Sequence, residues 1–401
     1  MGRSLVLALL TATFGAGAHA EDGGGRIGPP EVARLILNER GGVADAQGWG
    51  ADILAALTDN RLPVTRENIC SVIAVASQES GFNANPAVPN LGKIAERAVR
   101  QKLDAIPFLG AQAFAYLDTI PAPRTSFVKR IRAAKTERDL DLAYRALVEH
   151  AATKSSLDGV LRLGLFDKTV EEYNQISTVG SMQVSVAFAQ ETERGDHWRP
   201  MTHAESNAVR DRLYSRRGGL YYGARRLLAY PTGYAQKIFR FADYNAGRYA
   251  ARNAAFQSVL ARLSGETLAT DGDLLAYSKA REPSRETTQS ERALGAVVAR
   301  YGLNLDAAAL RRDLGLEKKA EFAATATFRQ VRALYARVTG QEPPFAQLPG
   351  IRLKSAKISA NMTTARFAES VNRRYGKCMS LAARIDQRPA LRAPGDWSEA
   401  D

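Results

Sequence analysis

Metal ligands and reactive sulfur are scarce in this sequence. It holds 4 histidines and 2 cysteines in 401 residues. His197 and His203 lie six apart, which is not a zinc-enzyme spacing. No His-x-x-x-His or Cys-x-x-Cys occurs, and neither a Gly-x-Ser-x-Gly elbow nor a phosphate-cradling glycine loop stands out. These absences argue against a metal centre, a serine-hydrolase site and a nucleotide site, so no metal and no cofactor is expected. Long apolar runs are also missing. Past the N-terminal segment, no stretch reaches the roughly 20 apolar residues that a membrane-spanning helix needs.

The N-terminal segment has its own pattern. Arg3 makes a short basic start, Ser4 to Gly17 is largely apolar, and Ala18-His19-Ala20 is an A-x-A site. This predicts a signal peptide over residues 1–20, cleaved after Ala20, and an exported protein in the periplasm or cell envelope. No cysteine follows the apolar run, so a lipid anchor is not expected. Cleavage removes Arg3 and takes the formal charge from +13 to +12. Such a charge suits nucleic acid or an anionic polymer or surface. Export makes nucleic acid the wrong expectation. Two cysteines in an oxidising compartment, Cys70 and Cys378, predict either a disulfide or two separately buried thiols. If bonded, they fold the end of the chain back onto the helix that carries Cys70.

That helix is the most informative stretch. Ile69, Val72, Ile73 and Ala76 recur at three- and four-residue steps. Glu79 continues the same stripe, and Gly81, Asn83, Asn85 and Pro86 stop the helix. Thr65 is the expected N-cap, with Glu67 in the first turn. A carboxylate at the lip of an apolar stripe is partly desolvated, which raises its pKa toward the range of a general acid. The plainer reading is a helix-end glutamate paired with an arginine.

Along the chain, helical periodicity dominates and predicts an all-α architecture. Pro29 to Leu57 reads as two helices, Tyr221 to Tyr230 and Tyr234 to Asn245 as one each. Asn90 to Asp167 is helical and basic in places, with Lys129, Arg130, Arg132 and Lys135 read as a solvated face. Gly265 to Glu291 is polar and reads as a linker. Ala293 to Val338 and Phe367 to Ala382 read as helical, and Ile351 to Thr363 as a stretch with room for a short strand.

Three short motifs stand in order: Glu79-Ser80, Gly180-Ser-Met-Gln183 and Tyr244-Asn-Ala-Gly247. Together they resemble the soluble lytic transglycosylase and goose-type lysozyme superfamily, over roughly Val64 to Arg262. The whole chain also looks like an uncharacterised family of bacterial envelope proteins that often carry a lipid anchor. The first resemblance implies a lysozyme-like helical domain over residues 27–262, followed by a helical extension over 263–401. It implies that Glu79 is the sole catalytic acid/base, cleaving between N-acetylmuramic acid and N-acetylglucosamine to leave a 1,6-anhydro sugar. Ser80, Met182, Gln183, Tyr244 and Asn245 would be the substrate-side residues, and peptidoglycan glycan strands the partner. The departure lies in spacing. Positions 79 and 183 are 104 apart, several times the family's separation, which marks about 90–172 as an insertion beside the site. The insertion or the C-terminal part is a candidate surface for an envelope protein partner. Ser177 lies nearer the Gly-x-Met-Gln turn than the family's serine. Two alternatives remain. One is a lysozyme-type hydrolase, for which Glu171, Glu172 or Asp243 would supply a second carboxylate. The other is a non-catalytic glycan- or partner-binding protein.

Overall fold

A computed structural model describes residues 27–105, 110–153, 176–195, 197, 199–278, 282–351 and 362–386. The export segment, Glu171 and Glu172, and most of Ile351–Thr363 lie outside them. The class is all-α. No described helix is long and apolar enough to cross a membrane.

The first three helices are α1 (Pro29–Glu39), α2 (Ala46–Asp59) and α3 (Arg66–Glu79). Thr65 caps α3 as expected, its hydroxyl accepting from the Asn68 backbone N–H at 3.3 Å. The stripe reading gave α3 one buried face. In the fold every residue from Ile69 to Ser77 is buried. The reason is tertiary: α1, α2, a later helix and the C-terminal helix all pack on α3.

The insertion supplies α4 (Leu91–Asp104), α5 (Gly110–Leu117), α6 (Phe127–Ala133) and α7 (Glu137–Thr153). It has a small core of Leu103, Ala113, Phe114, Leu117 and Val128. Leu91, Ala95, Ile131 and Leu140 join the main core instead, so the insertion is anchored to the body. Lys129, Arg130, Arg132 and Lys135 are exposed, as the solvated-face reading expects.

A two-stranded antiparallel hairpin follows, β1 (Thr178–Val179) with β2 (Val184–Ser185), in the register Thr178 to Ser185 and Val179 to Val184. It leads into α8 (Val186–Arg194), α9 (His203–Leu213), α10 (Arg216–Leu228), α11 (Lys237–Ala246) and α12 (Ala250–Ser264). α10 and α11 are the two helices read from Tyr221–Tyr230 and Tyr234–Asn245, with shifted starts.

Beyond α12 the chain builds a second core. Phe256 of α12 meets Phe322 and Phe328 with ring centroids 5.4 Å apart in both pairs. Around them stand α13 (Gln289–Tyr301), α14 (Ala307–Leu314) and α15 (Ala326–Thr339). Each buried phenylalanine is worth roughly 1.5–3 kcal/mol of transfer free energy. The stretch read as a linker contributes Leu268, Leu274 and Leu275 to this core. The last described helix, α16 (Thr364–Asp386), does not stay with the second core. It returns to the first and packs on α1, α3 and α11. There Cys378 is bonded to Cys70 of α3, with Cα atoms 5.6 Å apart and a sequence separation of 308.

Candidate active site

Glu79 is the last residue of α3 and half-buried. Burial, and then the neighbouring Glu137 carboxylate, push its carboxyl from an ordinary 4.5 up to about 8, against the pull of the Arg226 charge. The turn that bears it is gripped from the C-terminal end of the chain. Ser370 of α16 donates to Gln78 Oε1 at 2.7 Å, and Arg374 Nε donates to the same oxygen at 3.2 Å. Arg374 also donates to Ser77 Oγ at 3.2 Å and pairs with buried Glu39.

The hairpin turn holds Gly180-Ser-Met-Gln183. Gly180 (φ 82°) sits where a Cβ would lie 2.2 Å from the Leu213 carbonyl, so only glycine fits. Met182 is fully buried against α10 at Gly223, where a Cβ would lie 2.2 Å from the methionine sulfur. Gln183 is held at both ends of its amide. Nε2 donates to Glu137 Oε2 at 3.1 Å, and Oε1 accepts from Thr178 Oγ1 at 3.2 Å.

Tyr244, on α11, closes the arrangement. Its hydroxyl donates to the Met182 carbonyl at 2.7 Å, which fastens the third motif to the second. Burial, and then the Glu79 charge, push its phenol up, which places Tyr244 within electrostatic reach of Glu79. The Tyr244 carbonyl accepts from Arg226 Nη2 at 3.0 Å and Nε at 3.3 Å. Glu79, Met182, Gln183 and Tyr244 therefore lie in one neighbourhood.

Ser80 and Asn245 turn to local work. Ser80 Oγ donates to the Ala76 carbonyl at 3.2 Å and accepts from the Asn83 N–H at 3.2 Å, closing the C-terminus of α3. Asn245 Oδ1 accepts from Thr364 Oγ1 at 2.7 Å and so ties α11 to the start of α16.

Two residues of the site escaped the sequence reading. Glu137, at the first position of α7, is 2% exposed and comes from the insertion. Nothing in its local pattern separates it from the charges of a solvated helix. Arg226 did leave a signal, since it lies three residues after Gly223 and shares its helical face. Asp243, a candidate second carboxylate, is buried among structural donors. It accepts from Tyr234 Oη at 2.8 Å, Tyr230 Oη at 3.3 Å and the backbone N–H groups of Ala251 at 2.7 Å and Tyr249 at 3.0 Å. Those bonds fasten the start of α12.

The family described as "Protein of unknown function (DUF1615)" matches residues 42–381. A relative, "Uncharacterized protein YaiW" of Escherichia coli (strain K12), is 36% identical over 350 residues, covering 87% of this chain and 90% of the relative. No solved structure matches the chain.

Proposed function

The chain belongs to the DUF1615 family, and we propose that it is an exported lytic transglycosylase of peptidoglycan on a lysozyme-like helical domain. The observation that carries this reading is Glu79: a half-buried carboxyl at the end of α3, titrating at about 8, beside the Tyr244–Met182 bond. A carboxyl in that range is protonated at neutral pH and is a competent general acid. In the proposed reaction it gives its proton to the glycosidic oxygen as the C1–O bond of the muramic sugar breaks. The resulting carboxylate takes the proton of the same sugar's C6 hydroxyl while that oxygen bonds to C1. The product is a 1,6-anhydro sugar, no water is consumed, and Glu79 ends protonated as it began. Arg226 holds Tyr244 in place and adds positive charge near the carboxylate form. The export pattern and the basic charge suit a cell-envelope substrate.

A second reading rests on Glu137. A hydrolase of this kind uses two carboxyls, one to activate water. Glu137 is a second carboxyl near Glu79 and is none of the three, Glu171, Glu172 and Asp243, that the sequence offered. The test is digestion of purified peptidoglycan by the mature protein and by Glu79→Gln, with product masses read by mass spectrometry. Anhydro-muropeptides from the wild type alone are the expected result. Reducing-end products carrying one added water favour the hydrolase. No product from either protein overturns both, and leaves a glycan- or partner-binding role.

A further inference from the structure

Beyond Tyr244 stand two guanidiniums that form no ion pair with a described residue. Arg226 and Arg248 both lie on the ring of Phe188, 5.7 and 5.2 Å from its centroid. Arg226 also faces Tyr244 at 5.5 Å, and Arg248 faces Tyr230 at 5.1 Å. Arg226 donates its Nε and Nη2 to the Tyr244 carbonyl. Arg248 donates no hydrogen bond to a described residue, and its Nε is buried without an acceptor. No ion pair with a described residue is formed by either. Glu79 acts on Arg226, and Glu191 on Arg248, through space.

Such an arrangement is costly. Two like charges stand close, and burial together with the Arg226 charge presses the Arg248 guanidinium down from its ordinary range. An unsatisfied buried N–H adds to that cost. Arg226 spends its Nε and Nη2 on the Tyr244 carbonyl, whereas Arg248 keeps Nη1 and Nη2, a pair that matches the two oxygens of a carboxylate, with the Arg226 charge beside it. We propose that Arg226 and Arg248, seated on Phe188, form a receptor for a carboxylate on the peptide stem of the glycan. The stem as ligand rests on the peptidoglycan reading above. It is the ligand that fits by position, because it hangs from the muramic sugar whose C1–O bond Glu79 would help to break, and Arg226 acts on Glu79 as well as standing beside Arg248 on Phe188. Phe188 is partly exposed, as the floor of such a receptor must be.

The test is calorimetric titration of the intact chain with a N-acetylglucosamine–N-acetylmuramic acid disaccharide bearing a tetrapeptide. Its companions are the same molecule with amidated stem carboxyls, the bare disaccharide, and inorganic phosphate. None of these sugars contains the bond that the proposed reaction cleaves, so binding is read apart from turnover. The tetrapeptide form is expected to bind about 10-fold tighter than the amidated and bare forms. Arg248→Gln should bring the three close together, and Arg248→Lys should restore part of the difference. Equal affinity for all three sugars in the wild type, which needs no variant to fold, overturns the receptor. Tight phosphate binding beside that equality makes the pair a general anion site and overturns it as well. Stem-dependent binding by a protein that releases no muropeptide would sink the proposed reaction and leave the receptor standing. Anhydro products without stem-dependent binding would do the reverse.

Discussion

The hydroxyl of Tyr244 donates to the carbonyl of Met182 at 2.7 Å, and both residues are buried. Sixty-two positions separate them in the chain. This bond ties α11 to the turn of the hairpin. On its α11 side, Arg226 holds the same tyrosine by its carbonyl.

Tyr244→Phe keeps the ring and removes only the donor. It leaves the buried Met182 carbonyl unsatisfied, which costs about 1–3 kcal/mol. The denaturant midpoint should fall without a change in slope. Glycan cleavage should fall further than stability alone explains, because the hairpin turn is no longer fixed beside Glu79. A midpoint equal to wild type would mean that water or another donor takes over the carbonyl.

Glu79 makes a prediction in pH. Its carboxyl titrates at about 8 in the fold, against 4.5 as its ordinary value. Below 4.5 it is protonated in both folded and unfolded chains, and its contribution to stability is fully present. Between 4.5 and 8 the unfolded chain ionises first, so stability is lost as pH rises through the folded value. Relative to Glu79→Gln, the wild type should therefore lose on the order of a few kcal/mol across that window. Activity should have an alkaline limb near pH 8, falling about tenfold per unit above it, and Glu79→Gln should lower turnover at least about 100-fold. Stability curves of equal slope for the two proteins would refute the raised carboxyl.

Glu137→Gln tests the second carboxylate apart from the first. Glu137 raises the Glu79 carboxyl by like-charge repulsion, a smaller cause than burial. Removing that charge should move the alkaline limb to lower pH without abolishing it. Gln183 keeps an oxygen to donate to, so its position should hold. An unmoved limb would show that Glu137 does not couple to Glu79. Loss of water-adding products with anhydro products retained would assign Glu137 to water activation.

The parts of this site that were legible in the sequence are those fixed by local chemistry. Thr65 announced the start of α3, the step of Ile69, Val72, Ile73 and Ala76 announced its burial, and Glu79 followed on the same face. Gly180 stood in the second motif, at the place where the turn approaches Leu213 too closely for a Cβ, though nothing in the sequence said that Met182 packs against Gly223. What was hidden came from long-range packing. A hairpin with strands of two residues is too short to show a period. Glu137 reads as a surface charge until α7 is laid against the hairpin. The polar stretch Gly265–Glu291 reads as a linker until its leucines meet Phe256 and Phe328.

The last prediction concerns the covalent hold on α3. Cys70 lies mid-helix in α3 and Cys378 in α16, and their bond closes a loop of 308 positions. Loops of that size give large chain-entropy effects, and loss of such a bond costs roughly 3–5 kcal/mol. Reduction, or Cys70→Ala with Cys378→Ala, should lower the denaturant midpoint accordingly. The fold should nevertheless survive in buffer, because α16 is also held by Arg374 on Glu39 and by Ser370 on Gln78. Those contacts end one residue before Glu79, so the consequence should reach the chemistry. A loosened α16 lets the end of α3 fray and lets water reach the carboxyl. Desolvation is the largest cause of the raised titration, so the alkaline limb of activity should then shift to lower pH. Arg374→Met in the oxidised protein should show the same shift. It leaves buried Glu39 without its charge partner and should also cost about 3–5 kcal/mol. An alkaline limb that stays in place in both the reduced protein and Arg374→Met would show that α16 braces the first core without shaping the environment of Glu79.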